Sequence, residues 1–226
     1  MTAHRPRGLV IAIDGPSGAG KSTVGRALAR RLGYVFLDTG AMYRALALKA
    51  LRTGTAQDDA PGLAALAHDI RIGLEDEGRR ILLDGEDVSA DLRTREVSQA
   101  ASRVSVHPPV RREMVRRQQD MGSLGGVVLD GRDIGTAVFP DADVKFYVDA
   151  DPARRAVRRH AELLAAGAPA DLAAIEREIR ERDHADSTRA DSPLTRAAGA
   201  IAIDTTDDTP DAVVARMMEA VEAVPR

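Results

Sequence analysis

The sequence predicts an α/β fold, a parallel sheet with helices packed on both faces. Three observations carry this expectation. Residues 9–13 form a short apolar run that ends at Asp14 and a glycine-rich turn, the pattern of a buried strand. Directly afterwards Val24, Ala27, Leu28 and Leu32 repeat at helical spacing, and Gly33 stands where a helix C-cap belongs. Residues 34–37 then read as a second strand. Strand, helix and strand within about 30 residues make a crossover unit, and a crossover pairs its strands in parallel.

The remaining elements extend the pattern. A helix is expected from Thr39, and further buried strands at 127–129, 144–148 and 200–203. Helices flank them: one through Met114, one opening at Asp151-Pro152, one after Asp171 and one after Thr209-Pro210. On the last, Val214, Met218 and Val221 share a face, with the methionine as core filling. The middle of the chain departs from the rhythm. Residues 70–74, 80–83 and 86–88 are short strand-like pieces split by turns at 75–78 and Asp84-Gly85. Hairpins suit such turns, so a small antiparallel sheet is expected as an insertion in the α/β framework.

Composition narrows the function. The chain has 226 residues, 44% apolar and 30% charged, which fits one large domain or one and a half, with room for a substantial core. A net charge of −3 disfavours duplex nucleic acid or an anionic membrane as the main partner. Aromatic residues make up 3% and tryptophan is absent, leaving little to stack on single-stranded bases. With no cysteine there is no disulfide, thiolate metal site or cysteine nucleophile. The five histidines never fall four apart, and no apolar run nears the ~18 residues of a membrane span. The start, residues 1–7 and a short apolar run, is too short and too soon acidic for a signal peptide, so the cytoplasm is the expected location. Only three lysines occur among 32 basic residues, so arginine abundance says little and the placement of Lys21 says more.

Lys21 sits in the strongest motif. Gly15, Pro16, Ser17, Gly18, Ala19, Gly20, Lys21 and Ser22 match G-x-x-x-x-G-K-[ST] without a gap, with a strand before and a helix after. Glycines let backbone N–H groups turn inward, and the helix N-terminus adds positive charge, so the loop cradles phosphates. Lys21 is expected at the β- and γ-phosphates and the Ser22 hydroxyl at Mg²⁺, with Thr23 closing the phosphate-binding set. The loop specifies a nucleoside triphosphate but not its use. Guanine-reading switches need an Asn-Lys-x-Asp segment, and the chain contains no asparagine. A kinase for a small acceptor fits the length best, and such enzymes close an arginine-rich lid over the γ-phosphate. Residues 153–189 have that character, with Arg154, Arg155, Arg158, Arg159, Arg177, Arg180, Arg182 and Arg189 on two helices joined at 167–170. Glu176, Glu178 and Glu181 stand at ion-pair spacing, so a solvated salt-bridged face has equal weight by spacing alone.

Further segments resemble the bacterial cytidylate kinases. These are Leu37-Asp38-Thr39-Gly40-Ala41-Met42-Tyr43-Arg44, Asp84-Gly85-Glu86-Asp87-Val88-Ser89, Ala100-Ala101-Ser102, Val110-Arg111, Asp130-Gly131-Arg132-Asp133-Ile134-Gly135-Thr136 and Glu181-Arg182-Asp183. The similarity runs from Ile11 to the last helix. It implies a single kinase domain over 1–226: a P-loop core (8–38, 127–150, 197–226), an acceptor-binding region with the antiparallel insertion (39–126) and a helical lid (151–196). It also implies transfer of the ATP γ-phosphoryl group to CMP or dCMP, with Mg²⁺ as cofactor and a monomer as the working form. Carried over by residue, Arg44 and Arg132 hold the acceptor phosphate. Thr39, Arg111, Asp133 and Arg189 surround cytosine, and Ser102, Arg182 and Asp186 the sugar. Lys21, Arg132, Arg158 and Arg182 are the expected catalytic cations. Thr39 stands where relatives commonly carry serine, and 184–191 diverges apart from Asp186 and Arg189.

The residues themselves agree with this chemistry. A nucleoside monophosphate attacks through a phosphate oxygen already anionic near neutral pH, so no general base is needed. Arginine forks and Mg²⁺ must instead overcome the repulsion of two anions. Asp130, closing a strand, reads equally as a Mg²⁺ partner through water or as a turn cap. Two other functions remain open. One is a P-loop kinase for a sugar or cyclic-acid hydroxyl, with Asp38 or Asp133 as base. The other is a nucleotide-dependent switch or assembly protein.

Overall fold

The computed structural model describes residues 5–165 and 167–224. In chain order the regular elements are β1 (Val10–Asp14), α1 (Lys21–Leu32), β2 (Val35–Asp38), α2 (Thr39–Thr53), α3 (Ala60–Asp69), β3 (Ile72–Glu75), β4 (Arg80–Leu83), β5 (Glu86–Asp87), α4 (Arg95–Val104), α5 (Pro108–Gly122), β6 (Val127–Gly131), β7 (Val144–Asp149), α6 (Pro152–Ala165), α7 (Leu172–Thr188), β8 (Ile201–Asp204) and α8 (Pro210–Glu222). A single π-turn, Ile134–Val138, follows β6.

The main sheet has the order β2-β6-β1-β7-β8, and its strand pairs are all parallel. β1, at the centre, is buried along its whole length. Its side chains alternate between two apolar layers: Ile11 and Ile13 pack with α1 and α8, Val10 and Ala12 with Leu129, Ile134 and Val138. The third core belongs to the middle of the chain, where Met42, Leu46, Leu63, Ile81, Val97, Val104 and Met114 join α2–α5 to β4. β3, β4 and β5 form the expected small antiparallel sheet.

Register decides where chemistry can occur. Asp38 pairs with Asp130 and Asp14 with Gly131, so the carboxyl ends of β2, β6 and β1 lie level. Ligands of open parallel sheets bind at that edge. The loop after β1 demands glycine there. Gly15 has φ +148°, and a Cβ on it would lie 1.9 Å from the Val148 carbonyl oxygen.

Three features differ from the sequence expectation. α3 falls in a stretch to which the sequence reading assigns no element; Asp59 caps it by accepting from Gly62 N, and a proline in the first turn costs the helix no hydrogen bond. α4 was hidden by its polar composition, although Val97, Ala100, Ala101 and Val104 are buried at helical spacing. On α8 the core methionine is Met217, buried with Val213, Val214 and Val221, while Met218 is only partly buried. Val214 and Val221 lie on the buried face as expected, and only the methionine differs.

Candidate active site

α1 starts at Lys21, with Gly20 before it in left-handed conformation. The Lys21 ammonium donates to Pro16 O at 2.6 Å, which folds the side chain back over its own loop. Burial, then the charge of Arg132, pulls its pKa down to about 7. Beside it the Ser22 hydroxyl donates to Asp130 Oδ2 at 2.5 Å. Burial, then repulsion from Asp38, raises the Asp130 carboxyl to about 7. Its second oxygen is buried with no hydrogen-bond partner.

The end of β2 supplies the next wall. Asp38 caps α2 by accepting from Ala41 N at 2.7 Å and also pairs with Arg44 at 3.3 Å. Thr39 Oγ1 donates to Asp130 O at 2.6 Å, so its one proton is used there and its lone pairs are left to accept. After β6 the chain turns through Asp133 into the π-turn. Asp14 fastens that turn, accepting from Ile134 N at 2.8 Å and Gly135 N at 2.7 Å. Burial raises the Asp14 carboxyl to about 6, despite those two bonds.

Charged side chains from three elements meet at Asp133. Arg111 of α5, 3% exposed, donates to Asp133 Oδ2 and, at 3.3 Å, to Ser105 O. Arg189, at the C-cap of α7, places Nη2 3.8 Å from Asp133 Oδ1. Burial raises the Asp133 carboxyl above its ordinary range, although Arg111 and Arg189 oppose this. Nearby, Arg132 Nε donates to Asp186 Oδ2 at 2.8 Å. Burial, then repulsion from Arg132, brings the Arg182 guanidinium down to about 10. The Nε atoms of Arg111 and Arg182 are buried without hydrogen-bond partners. Unfilled donors on buried cations are what an anionic or polar ligand would satisfy.

These side chains share one cleft. Of the sequence-predicted residues, Ser17, Gly18, Lys21, Ser22, Thr39, Arg44, Arg111, Arg132, Asp133, Arg182, Asp186 and Arg189 line it. Gly15, Pro16, Ala19, Gly20 and Thr23 of the phosphate-binding set, together with Ser102 and Arg158, are not part of its lining. The Ser102 hydroxyl donates to Ser98 O within α4, and Ala101 and Ser105 line the cleft instead. Arg158 donates to the carbonyls of Thr205 and Thr206 after β8. Sequence reasoning gave no role to Tyr43, which also lines the cleft and whose hydroxyl burial pushes up to about 12. A signal existed, because Tyr43 stands one helical turn from Thr39 and next to Arg44.

A phosphate-binding loop at the carboxyl edge of a parallel sheet, facing convergent arginines, defines the class: a P-loop phosphotransferase. Residues 11–223 match the family model described as cytidylate kinase, and the chain belongs to that family. A protein named cytidylate kinase from Symbiobacterium thermophilum is 52% identical over 215 residues, covering 94% of this chain and 95% of that protein. Another of that name from Syntrophotalea carbinolica is 52% identical over 217 residues, covering 95% and 92%. Among solved structures, an uncharacterized protein from Eubacterium ventriosum ATCC 27560 aligns with a TM-score of 0.51 at 11% identity, covering 95% of this chain and 99% of that one, a likeness of fold alone.

Proposed function

We propose that the enzyme transfers the γ-phosphoryl group of ATP to CMP or dCMP, giving ADP and CDP or dCDP. The observation that carries this reading is the buried Arg111–Asp133 pair in the same cleft as Lys21, Arg44, Arg132 and Arg182. A donor and an acceptor side by side suit the edge of a base, and the cations beside them suit two phosphate groups.

In this reading the P-loop backbone and Lys21 hold the ATP phosphates, and Arg44 and Arg132 hold the acceptor phosphate. An oxygen of that phosphate attacks the γ-phosphorus in line while the bond to the bridging oxygen of ADP breaks. The attacking oxygen is already ionised near neutral pH, so no carboxylate has to remove a proton. Arg132 and Arg182 stabilise the charge spread over the transferring group. Arg158 joins them after exchanging the Thr205 and Thr206 carbonyls for phosphate. Thr39, Arg111, Asp133 and Arg189 read the base; Asp186 and Arg182 face the sugar, and Ser102 joins them after exchanging the Ser98 carbonyl for a sugar hydroxyl. Residues 39–126 serve as the acceptor region and 151–196 as the lid.

Mg²⁺ is the implied cofactor, and the residues present fit it. The Ser22 hydroxyl and the Asp130 carboxylate are adjacent oxygen donors, and Asp130 Oδ1 has no hydrogen-bond partner. Mg²⁺ takes one or two protein oxygens together with substrate phosphates and water, so this small set suffices. Among the described residues no cluster of three His, Asp or Glu side chains offers another site. When bound, the ion supplies positive charge against the β- and γ-phosphate oxygens.

Phosphorylation of a sugar or cyclic-acid hydroxyl has less support. Its base would be Asp38 or Asp133, and both carboxylates are already committed to arginines. We read the protein as a cytoplasmic monomer, since its substrates are cytoplasmic solutes and one chain supplies the whole cleft. Among the described residues no helix is long and apolar enough to cross a membrane. An ADP-release assay with CMP, dCMP, UMP and a panel of polyols tests the reading. Turnover that needs CMP or dCMP supports it; equal turnover with a polyol, or without any acceptor, overturns it.

A further inference from the structure

Arg155, one of the arginines of the expected lid, is not among the residues that line the cleft. It lies in the first turn of α6, is 2% exposed, and each of its three guanidinium nitrogens is used. Nε donates to Ala150 O at 2.8 Å, just beyond β7. Nη1 donates to Ser17 O at 3.1 Å, in the phosphate-binding loop. Nη2 donates to Asp183 Oδ2 at 2.7 Å, on α7. The aliphatic stem lies against the loop as well: a Cβ on Gly18 would come within 3.3 Å of Arg155 Cβ.

We propose that Arg155 and Asp183 are positioning residues that tie the phosphate cradle to the arginine-bearing helix α7. Asp183 follows Arg182, whose unfilled Nε is buried at the cleft. The second oxygen of Asp183 is buried without a hydrogen-bond partner, so nothing but Arg155 holds that carboxylate among the described hydrogen bonds. The apolar contacts of α7 do not do this job. Ile175 and Ile179 pack with Ala156 in a small core between the two lid helices, and this fixes α7 to α6 rather than to the loop. A fork that grips the Ser17 carbonyl with one arm and Asp183 with the other links the two directly. When phosphates order the loop, Ser17 O and the guanidinium are ordered with it, and Arg182 is held at the place where charge develops. Lysine could not replace this residue, because one ammonium cannot span three acceptors in a plane.

The kinetic arm of the test rests on the phosphoryl-transfer reading above; the exchange arm does not. Asp183→Asn keeps the shape and removes the charge. It is expected to lower kcat with ATP and CMP about tenfold or more and to change the KM for CMP less than about threefold. Arg155→Met with Asp183→Asn should be within about threefold of the slower single variant, because both changes cut one link. Additive losses, or losses that follow the folded fraction in thermal melts, overturn the proposal. Hydrogen exchange gives the second readout. A non-hydrolysable ATP analogue, added without any acceptor, should protect amides of 179–186 in the parent protein and leave them unprotected in Asp183→Asn. No protection in the parent, or equal protection in both, also overturns it. Absence of turnover with CMP in the parent would count against the acceptor reading and leave the exchange arm intact.

Discussion

Arg111 and Asp133 form a buried ion pair between α5 and the turn after β6, with Arg189 3.8 Å from the other carboxylate oxygen. Cytosine presents an amino donor at position 4 and an acceptor at position 3, and uracil reverses both. An ionised Asp133 only accepts and Arg111 only donates, so the pair matches cytosine and meets uracil with like against like. CMP should be preferred over UMP by on the order of 10³-fold. In Asp133→Asn the amide can turn its NH₂ toward a carbonyl. The expected result is a steep fall in kcat/KM for CMP with little loss, or a gain, for UMP. Parallel losses for both acceptors would confine Asp133 to holding Arg111 and Arg189.

Lys21→Ala tests the phosphate site. The backbone cradle does not depend on the ammonium beyond its bond to Pro16 O, so the variant should fold. Turnover with ATP and CMP should drop by on the order of 10³-fold or more, as loss of a charge-stabilising group in a dry site does. Near-normal turnover would remove Lys21 from the reaction.

Asp186 has two faces. It accepts from Arg132 Nε with one oxygen, so Asp186→Ala releases an arginine assigned to the acceptor phosphate, and both CMP and dCMP should lose activity. Its other oxygen lies 4.0 Å from Arg189, leaving room to accept from a ribose hydroxyl. The loss should be about tenfold larger for CMP than for dCMP, on the scale of one hydrogen bond to a charged group. Equal losses would limit Asp186 to holding Arg132.

The helices proposed as the lid share a small apolar core of Ala156, Ile175 and Ile179, flanked by Leu163 and Ala170. So little buried apolar surface implies a low local opening energy. Hydrogen exchange over 163–171 should be among the fastest within the helical regions and should slow when a bisubstrate analogue closes the site. Exchange that the analogue leaves unchanged would argue against a lid there.

Asp14 predicts a pH dependence of stability. Its carboxyl titrates near 6 in the folded protein against 3.8 ordinarily, because burial disfavours the charge. Between those values the native state keeps a proton that the unfolded state has lost, so stability falls as pH rises and levels off above the folded value. Denaturant unfolding from pH 4 to 7 should show the parent losing about 2 kcal/mol relative to Asp14→Asn, most of it below pH 6. A constant difference across that range would mean that Asp14 ionises normally.

Much of the molecule was legible because its signals are local. The phosphate loop needs glycines and a lysine at fixed spacing whatever lies around it, and Gly15 pressed against Val148 O shows why. The strands were readable from short apolar runs, and the antiparallel insertion from its turns. Other features had no local signal. α4 is polar by composition, and its buried stripe has meaning only once α2 packs against it. Arg155 and Arg158 look alike in sequence, three residues apart on one helix. Yet one is buried in a fork between loop and lid, and the other reaches the carbonyls after β8.

The sequence by itself determined the parallel α/β class, the phosphate site and, through the motifs it shares with one family, the family. Backbone conformation, hydrophobic period and contiguous motifs are properties of neighbours along the chain. Only the tertiary structure decided which charges meet. Arg111 and Asp133 are brought together across two elements, and Asp14 reaches across the sheet to fasten the turn that presents Asp133. Arg155 closes the gap between Ser17 and Asp183. Ion pairs and hydrogen bonds act over a few ångströms in space, and the distance along the chain that separates such partners carries no trace of them.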